Sequence, residues 1–299
     1  MKTTFARLLL LGLCALPIVR LTAQPASATF RAALLESYPL GFARTAEGDL
    51  SRGGMLGRVA VAHFDFGVTG RTSLSPSTIL LHGFAYARNT LDTSGAVILP
   101  DALEELTLSL GVQLRRSEQW SFAAYLRPGF YGDSLDLDSN SLNAPLLGMA
   151  IYSVSRDLSW IFGFSANAAA DTPFLPIAGV RWQYAPDWTL NIGFPRAGVT
   201  WRRSDRLAFN AGATVQGGDY FVSESLGVPA PGISRLARTW LEYREIRLGA
   251  GAEFALSAGV TLSVDAGLAL DQRFDYFDRG YELKGDTPLF VALALKGRF

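Results

Sequence analysis

Cysteine occurs once in the 299 residues, at Cys14, and histidine twice, at His63 and His82. Cys14 lies inside an N-terminal apolar run, with Leu13 before it and more apolar residues after it. A lipidated cysteine needs a small residue just before it. The rest of the chain has no thiol, which excludes a disulfide framework and thiolate chemistry. The two histidines show neither His-x-x-His nor His-Glu-x-x-His spacing, so the common transition-metal sites are excluded too. Charge is scarce: 18% of residues are charged, against about 25% in soluble domains. The formal net charge is zero, and without a basic excess nucleic acid is not an expected partner. Beyond the N-terminus no apolar run is long enough for a spanning helix. The longest uncharged stretches, such as Leu158 to Ala170, contain Ser, Gly and Asn. The chain is then soluble or crosses a bilayer as strands. Gly217-Gly218 precedes no helix, so there is no phosphate loop, and no cofactor is expected.

The N-terminus has the layout of an export signal. Lys2 and Arg7 are followed by the apolar run Leu8 to Val19, too short to span comfortably. Leu21-Thr22-Ala23 places small residues at a cut, so residues 1–23 are expected to be removed; Ala26-Ser27-Ala28 offers an alternative cut after 28. That leaves 299 − 23 = 276 residues, expected to form one domain over 29–299. Loss of Lys2, Arg7 and Arg20 takes 27 basic residues to 24 against 27 acidic ones, a net charge of −3. At the other end, Leu289, Val291, Leu293 and Leu295 alternate with Phe290, Ala292, Ala294 and Lys296, and the chain stops on Phe299. This resembles the terminal strand that the assembly machinery of bacterial outer-membrane barrels reads. Phe299 is the expected assembly signal, with that machinery as a partner.

Between the ends the dominant pattern has period two. Leu106, Leu108, Leu110, Val112 and Leu114 alternate with Thr107, Ser109, Gly111 and Gln113. Leu207, Phe209, Ala211, Ala213 and Val215 alternate with small polar residues. Val260, Leu262, Val264, Ala266 and Leu268 do the same. Similar windows begin at Trp120, Trp160, Trp188 and Ile246. In these seven windows the apolar face carries no charge. A charge facing lipid at the midplane costs about 2–4 kcal/mol, so a membrane strand should show such a face. The other face is mostly Ser, Thr, Gly, Asn and Gln, whereas a soluble sandwich would expose more Lys and Glu. Strands of about ten residues tilted by roughly 40° cover about 25 Å, the height of an outer-membrane apolar band.

Connector lengths agree. Short ones at Arg116–Gln119, Ser155–Asp157, Ala185–Asp187, Arg203–Arg206 and Ser257–Gly259 mostly alternate with longer ones at Asn89–Asp101, Gly132–Asn143, Ala169–Leu175, Gly217–Arg238 and Arg273–Asp286. Tight periplasmic turns and longer outer loops give this pattern. Trp120, Trp160, Trp182, Trp188 and Trp201 each lie close to a short turn, as a periplasmic aromatic girdle would. The expected fold is therefore an all-β, up-and-down transmembrane barrel of 12–14 strands. Thirteen candidates lie between Leu56 and Phe299. The best count is 14, with Thr29 to Pro39 supplying the extra strand. The alternative is 12, if the pair meeting at Phe194-Pro195-Arg196 is miscounted.

Several turn and strand-end residues carry a family resemblance. They are Leu99-Pro100-Asp101, Pro128-Gly129-Phe130, Gly132-Asp133, Leu175-Pro176-Ile177, Gly179-Val180, Trp182, Trp188 and Phe194-Pro195. Over Val59 to Phe299 the chain resembles an uncharacterised family of bacterial outer-membrane β-barrels, known only as a domain of unknown function. The resemblance implies the barrel and the outer membrane, with lipid and lipopolysaccharide as surroundings. It implies no activity.

Chemistry is sparse. His63 alternates with Asp65 on the polar face, while Ser77 and His82 do not share a face, so a barrel hydrolase is the least favoured reading and no enzyme is expected. Asp133, Asp136 and Asp138 form an acidic loop. Carboxylates suit hard cations, but the spacing matches no EF-hand and a solvated loop is expected. The charges in polar-face phase are the best functional clue: Glu105, Arg127, Arg181, Arg202, Glu245, Arg247, Glu253, Asp265, Lys296 and Arg298. Both signs occur. Such charges either pair and brace the wall or tune a water-filled pore. The expected function is a passive or weakly selective channel for small solutes, the alternative a filled barrel presenting its outer loops.

Overall fold

The alternation is realised as antiparallel ladders. In the computed structural model, residues 37–135 and 138–298 are described. The signal segment with its two cuts, Thr29 to Glu36, Asp136 and Phe299 lie outside them. The strands are β1 (Ser37–Ser51), β2 (Met55–Ser75), β3 (Thr78–Gly95), β4 (Ala102–Arg115), β5 (Trp120–Leu126, resuming at Gly129–Gly132) and β6 (Leu142–Asn143, resuming at Leu146–Ser153). Then follow β7 (Leu158–Ala166), β8 (Phe174–Ala185), β9 (Trp188–Ile192), β10 (Arg196–Ser204) and β11 (Leu207–Val222). The last are β12 (Thr239–Ser257), β13 (Val260–Tyr276) and β14 (Tyr281–Gly285, resuming at Leu289–Arg298). The three interruptions fall at Pro128, Pro145 and Pro288. Proline has no N–H to give to a ladder, yet each carbonyl still accepts one, from Leu108, Arg127 and Ala269 respectively.

These strands form a closed barrel of 14, with β14 returning to β1. The hairpin at Phe194–Arg196 is real, since β9 and β10 pair from Trp188↔Trp201 to Asn191↔Gly198, so the alternative of 12 falls. The fourteenth strand, however, is Ser37–Ser51 and not Thr29–Pro39. An irregularity between Thr45 and Gly48 reverses its phase and hides its periodicity. Ser37 and Arg298 pair on the side of the short turns, as an even strand number requires. We orient that side toward the periplasm.

Around the middle of the barrel the outward face is apolar and bare, apart from His82, which is the register partner of Leu110. Phe42, Leu108, Leu110, Phe162, Leu248 and Leu293 are each about half exposed. In water such a continuous belt is a liability; against acyl chains it is the solvent-facing surface. Trp182, Tyr184, Trp188, Trp201 and Phe209 form a run of neighbouring rings at the periplasmic edge, with centroids 5.6–6.2 Å apart.

Several strands outrun the belt: β2 has 21 residues, β12 has 19 and β13 has 17. Much of what the sequence presents as long loop is therefore strand. Above the belt β6 to β10 drop out. The hairpin joining β9 to β10 stops low, and β11 continues past it. The next register contact of β11 on that side is Phe221↔Gly132 on β5, and it is parallel. The outer level thus closes with nine strands, β1 to β5 and β11 to β14. An odd ring cannot be antiparallel throughout, and this pair supplies the parallel step. Asp133 fastens it. Its N–H donates to the Phe221 carbonyl, and its carboxylate accepts from Ser223 N, Ser223 Oγ and Glu224 N at 2.9, 2.8 and 3.0 Å.

The nine-stranded level is filled. Leu50, Val59, Leu103, Val222, Leu241, Phe274, Tyr276 and Leu283 meet inside it, and Leu99 and Leu236 descend from the loops above. Three strands reverse phase to aim apolar residues inward here. They are β1 at the Thr45–Gly48 irregularity, β13 where Asp271 takes a φ of 46°, and β14 at Pro288. Each fully buried Leu or Phe contributes about 1.5–3 kcal/mol. This plug holds the outer end together independently of lipid.

Candidate functional site in the lumen

Beneath the plug the interior turns polar. Its roof is Glu245, fully buried. It accepts from Arg247 Nε at 2.6 Å, from Gln272 Nε2 at 3.3 Å and from Thr45 Oγ1 at 3.3 Å. A buried carboxylate is tolerable only with such partners. The Arg247 guanidinium also lies over the Phe290 ring, 5.4 Å from its centroid. Across the lumen Arg127 Nη2 meets Glu105 Oε1 at 2.9 Å. Those two residues are 22 apart in sequence and belong to neighbouring strands on the inward phase. Between the two pairs lies a cavity of about 350 Å³, also lined by His63, Asp65, Asn89 and Tyr220. A second of about 160 Å³, lined by Arg196, Asn210, Glu253 and Asp265, lies beyond Arg247, which borders both.

The strand registers place nine of the ten charges chosen from the sequence on the inward phase, and Arg127, in the break of β5, joins them through Glu105, but the ten lie at different depths. Glu105, Arg127, Glu245 and Arg247 sit just under the plug and pair. Glu253 and Asp265 lie lower, on β12 and β13. Arg181, Arg202, Lys296 and Arg298 lie at the periplasmic mouth. Trp120, Trp160, Trp182, Trp188 and Trp201 point outward near the short turns. The structure adds Arg71 and Arg115, inward on β2 and β4 near their periplasmic ends. Both were readable from strand phase alone.

His63 bonds Asn89 at 2.8 Å and Asp65 at 3.2 Å, one through each ring nitrogen. Among the described residues neither of these nitrogens bonds a serine. Two carboxylates of the acidic loop have structural roles: Asp133 fastens the β5–β11 seam, and Asp138 caps a short turn by accepting from Asn140. The bonds from Asn140 hold the Asp138 carboxyl below its usual range. Among the described residues no cluster of His, Cys, Asp or Glu is arranged to hold a metal.

One feature above the belt depends on register alone. Asp219, Glu242, Asp275 and Glu282 are direct cross-strand partners on β11 to β14, all facing outward. A row of basic side chains runs beneath them. Arg244 meets Asp271 at 3.0 Å, Arg273 meets Glu282 at 2.9 Å and Lys284 meets Glu282 at 3.4 Å. Asp219 is partly covered and accepts from Asn167 Nδ2 at 2.5 Å. Burial first, and then Glu242 beside it, push its carboxyl up to about 7. Asp275 is pushed to about 6 by burial and then by Glu282 and Glu242.

Residues 73–283 match the family described as a domain of unknown function, DUF6268. No curated protein matches the sequence. Among solved structures, the COG4313 outer membrane channel from Pseudomonas putida F1 superposes with a TM-score of 0.51 at 11% identity, covering 93% of this chain and 100% of that one. A FadL homologue of Pseudomonas aeruginosa gives 0.42 at 10% identity, with 89% of each chain covered. The toluene transporter TodX of Pseudomonas putida gives 0.42 at 8%, with 89% and 90% covered. The likeness to the first is one of fold: this is the architecture of an outer-membrane barrel.

Proposed function

The chain belongs to the DUF6268 family, and from the geometry above we propose that it is an outer-membrane channel for small solutes whose outer end is shut by the plug. The observation that carries this reading is the pair of polar cavities under a separate apolar cap. A barrel built only as a scaffold would extend its apolar packing through the lumen. Here the ionised groups nearest the plug pair with each other along the wall and leave space between them. The fold shared with a structurally defined outer membrane channel supports the same reading, as does the belt for location in the outer membrane.

The plug equally favours a second reading, a filled barrel that presents its outer loops. One experiment separates them. The mature chain is refolded into a planar bilayer beside a variant lacking residues 224–237, the loop that lowers Leu236 into the plug. We expect small, infrequent openings from the intact chain and at least tenfold greater conductance from the variant. A variant that inserts, shifts on heating in a gel as folded barrels do, and stays silent would decide for the filled barrel.

A further inference from the structure

The inward charges sort by depth. Within about four residues of the periplasmic ends of their strands lie Arg71, Arg115, Arg181, Arg202, Lys296 and Arg298, on β2, β4, β8, β10 and β14. All six are exposed. Among the described residues the inward face at that level offers one acid, Glu253. The arginines that brace the wall are elsewhere, Arg127 against Glu105 and Arg247 against Glu245. Apart from Arg71, none of the six side chains has an ion-pair or hydrogen-bond partner among the described residues. Bracing charges would be paired across the mouth. These are gathered with one sign, on a chain whose net charge without its first 23 residues is −3, so the sorting is positional and not compositional.

A ring of like charge around a low-dielectric opening focuses the field and raises the local concentration of the opposite ion. We propose that the periplasmic mouth is an anion-collecting vestibule, and that the solute it admits is a small organic anion carrying a carboxylate, phosphate or sulfonate. Two arginines and a lysine reaching from separate strands suit such groups, Arg by its fork and Lys as a point charge. Deeper in, Asp65 and Asp265 face the anion, so the mouth captures and the paired layer above it does not. At physiological salt the field reaches about 8 Å, which keeps the effect local and makes it salt-dependent.

The substrate class rests on the channel reading, but the vestibule does not. The probe is pyranine, a small trisulfonated dye, titrated by fluorescence anisotropy into the refolded mature chain in zwitterionic micelles. Saturable binding is expected at 20 mM salt, weakening at least tenfold by 300 mM. Arg181→Gln/Arg202→Gln/Lys296→Gln should weaken it tenfold. Arg181→Lys/Arg202→Lys should keep it, and so should Arg44→Gln, on the outward phase of β1. No binding by the intact chain, or equal loss in Arg44→Gln, would overturn the vestibule. Reversal potentials under a KCl gradient then test the channel separately. Chloride preference that vanishes in the triple variant supports both readings. Dye binding with silence in the bilayer keeps the vestibule and discards the channel.

Discussion

Replacing Asp219 by Asn should stabilise the outer end of the barrel at neutral pH and remove much of its pH dependence. The unfolded chain would ionise this carboxyl near pH 3.9, while in the fold it is held up to about 7. A raised acid is a cost that appears once pH exceeds the unfolded value and is complete above the folded one. Three units at about 1.4 kcal/mol each give a ceiling of about 4 kcal/mol above pH 7. At pH 5 the native carboxyl is protonated and the cost is about 1.5 kcal/mol, so acidification from pH 8 to 5 should stabilise the wild type by up to about 2.5 kcal/mol through this group. Asp275, held up to about 6, adds a smaller contribution of the same sign. The amide oxygen of the substituted side chain would still accept from Asn167, so the change removes charge and little else. Urea unfolding in micelles at pH 5, 6.5 and 8, followed by tryptophan fluorescence, measures the effect. A wild type that grows more stable from pH 5 to 8, or an Asp219→Asn chain weaker than wild type at pH 8, would refute the argument.

Two other substitutions address different levels of the barrel. Leu110→Arg should block assembly, because a cation on the lipid-facing phase costs about 2–4 kcal/mol, whereas Ser109→Arg on the inward phase should fold; outer-membrane yield and heat-shifted gel mobility decide it, and equal yields would invalidate the face assignment. Asp133→Ala removes three hydrogen bonds from the β5–β11 seam and should cost about 2–3 kcal/mol locally. Faster amide exchange confined to Phe221–Glu224 and its neighbours is expected, and unchanged protection would mean that the seam does not depend on it.

Thirteen of the fourteen strands were legible because lipid on one side and water on the other enforce a strict period of two. The first was not, since its phase reverses at Thr45–Gly48 and Arg44 falls on the outward phase just above the belt. The plug left a trace that is easy to misread. In β13 the apolar positions run Leu262, Val264, Ala266 and Leu268 facing lipid, then Phe274 and Tyr276 facing inward, with Arg273 and Asp275 taking the outward phase. Alternation persists through the reversal, so only the sudden charge on the former lipid phase marks it. The Glu105–Arg127 pair and the acidic row of Asp219, Glu242, Asp275 and Glu282 require register between strands, which no single window of sequence carries. The seam is harder still, because it joins two strands six apart in order after everything between them has dropped away.

That step in strand number has a consequence for how such a barrel varies. Since the chain between β5 and β11 contributes to the wall only at the level of the belt, hairpins gained or lost there would change the girth facing the periplasm by two strands at a time. The cap would be untouched, because its nine staves and its one parallel joint lie outside that stretch. The bore and the lid are therefore separable inheritances, and a lineage that alters one need not rebuild the other.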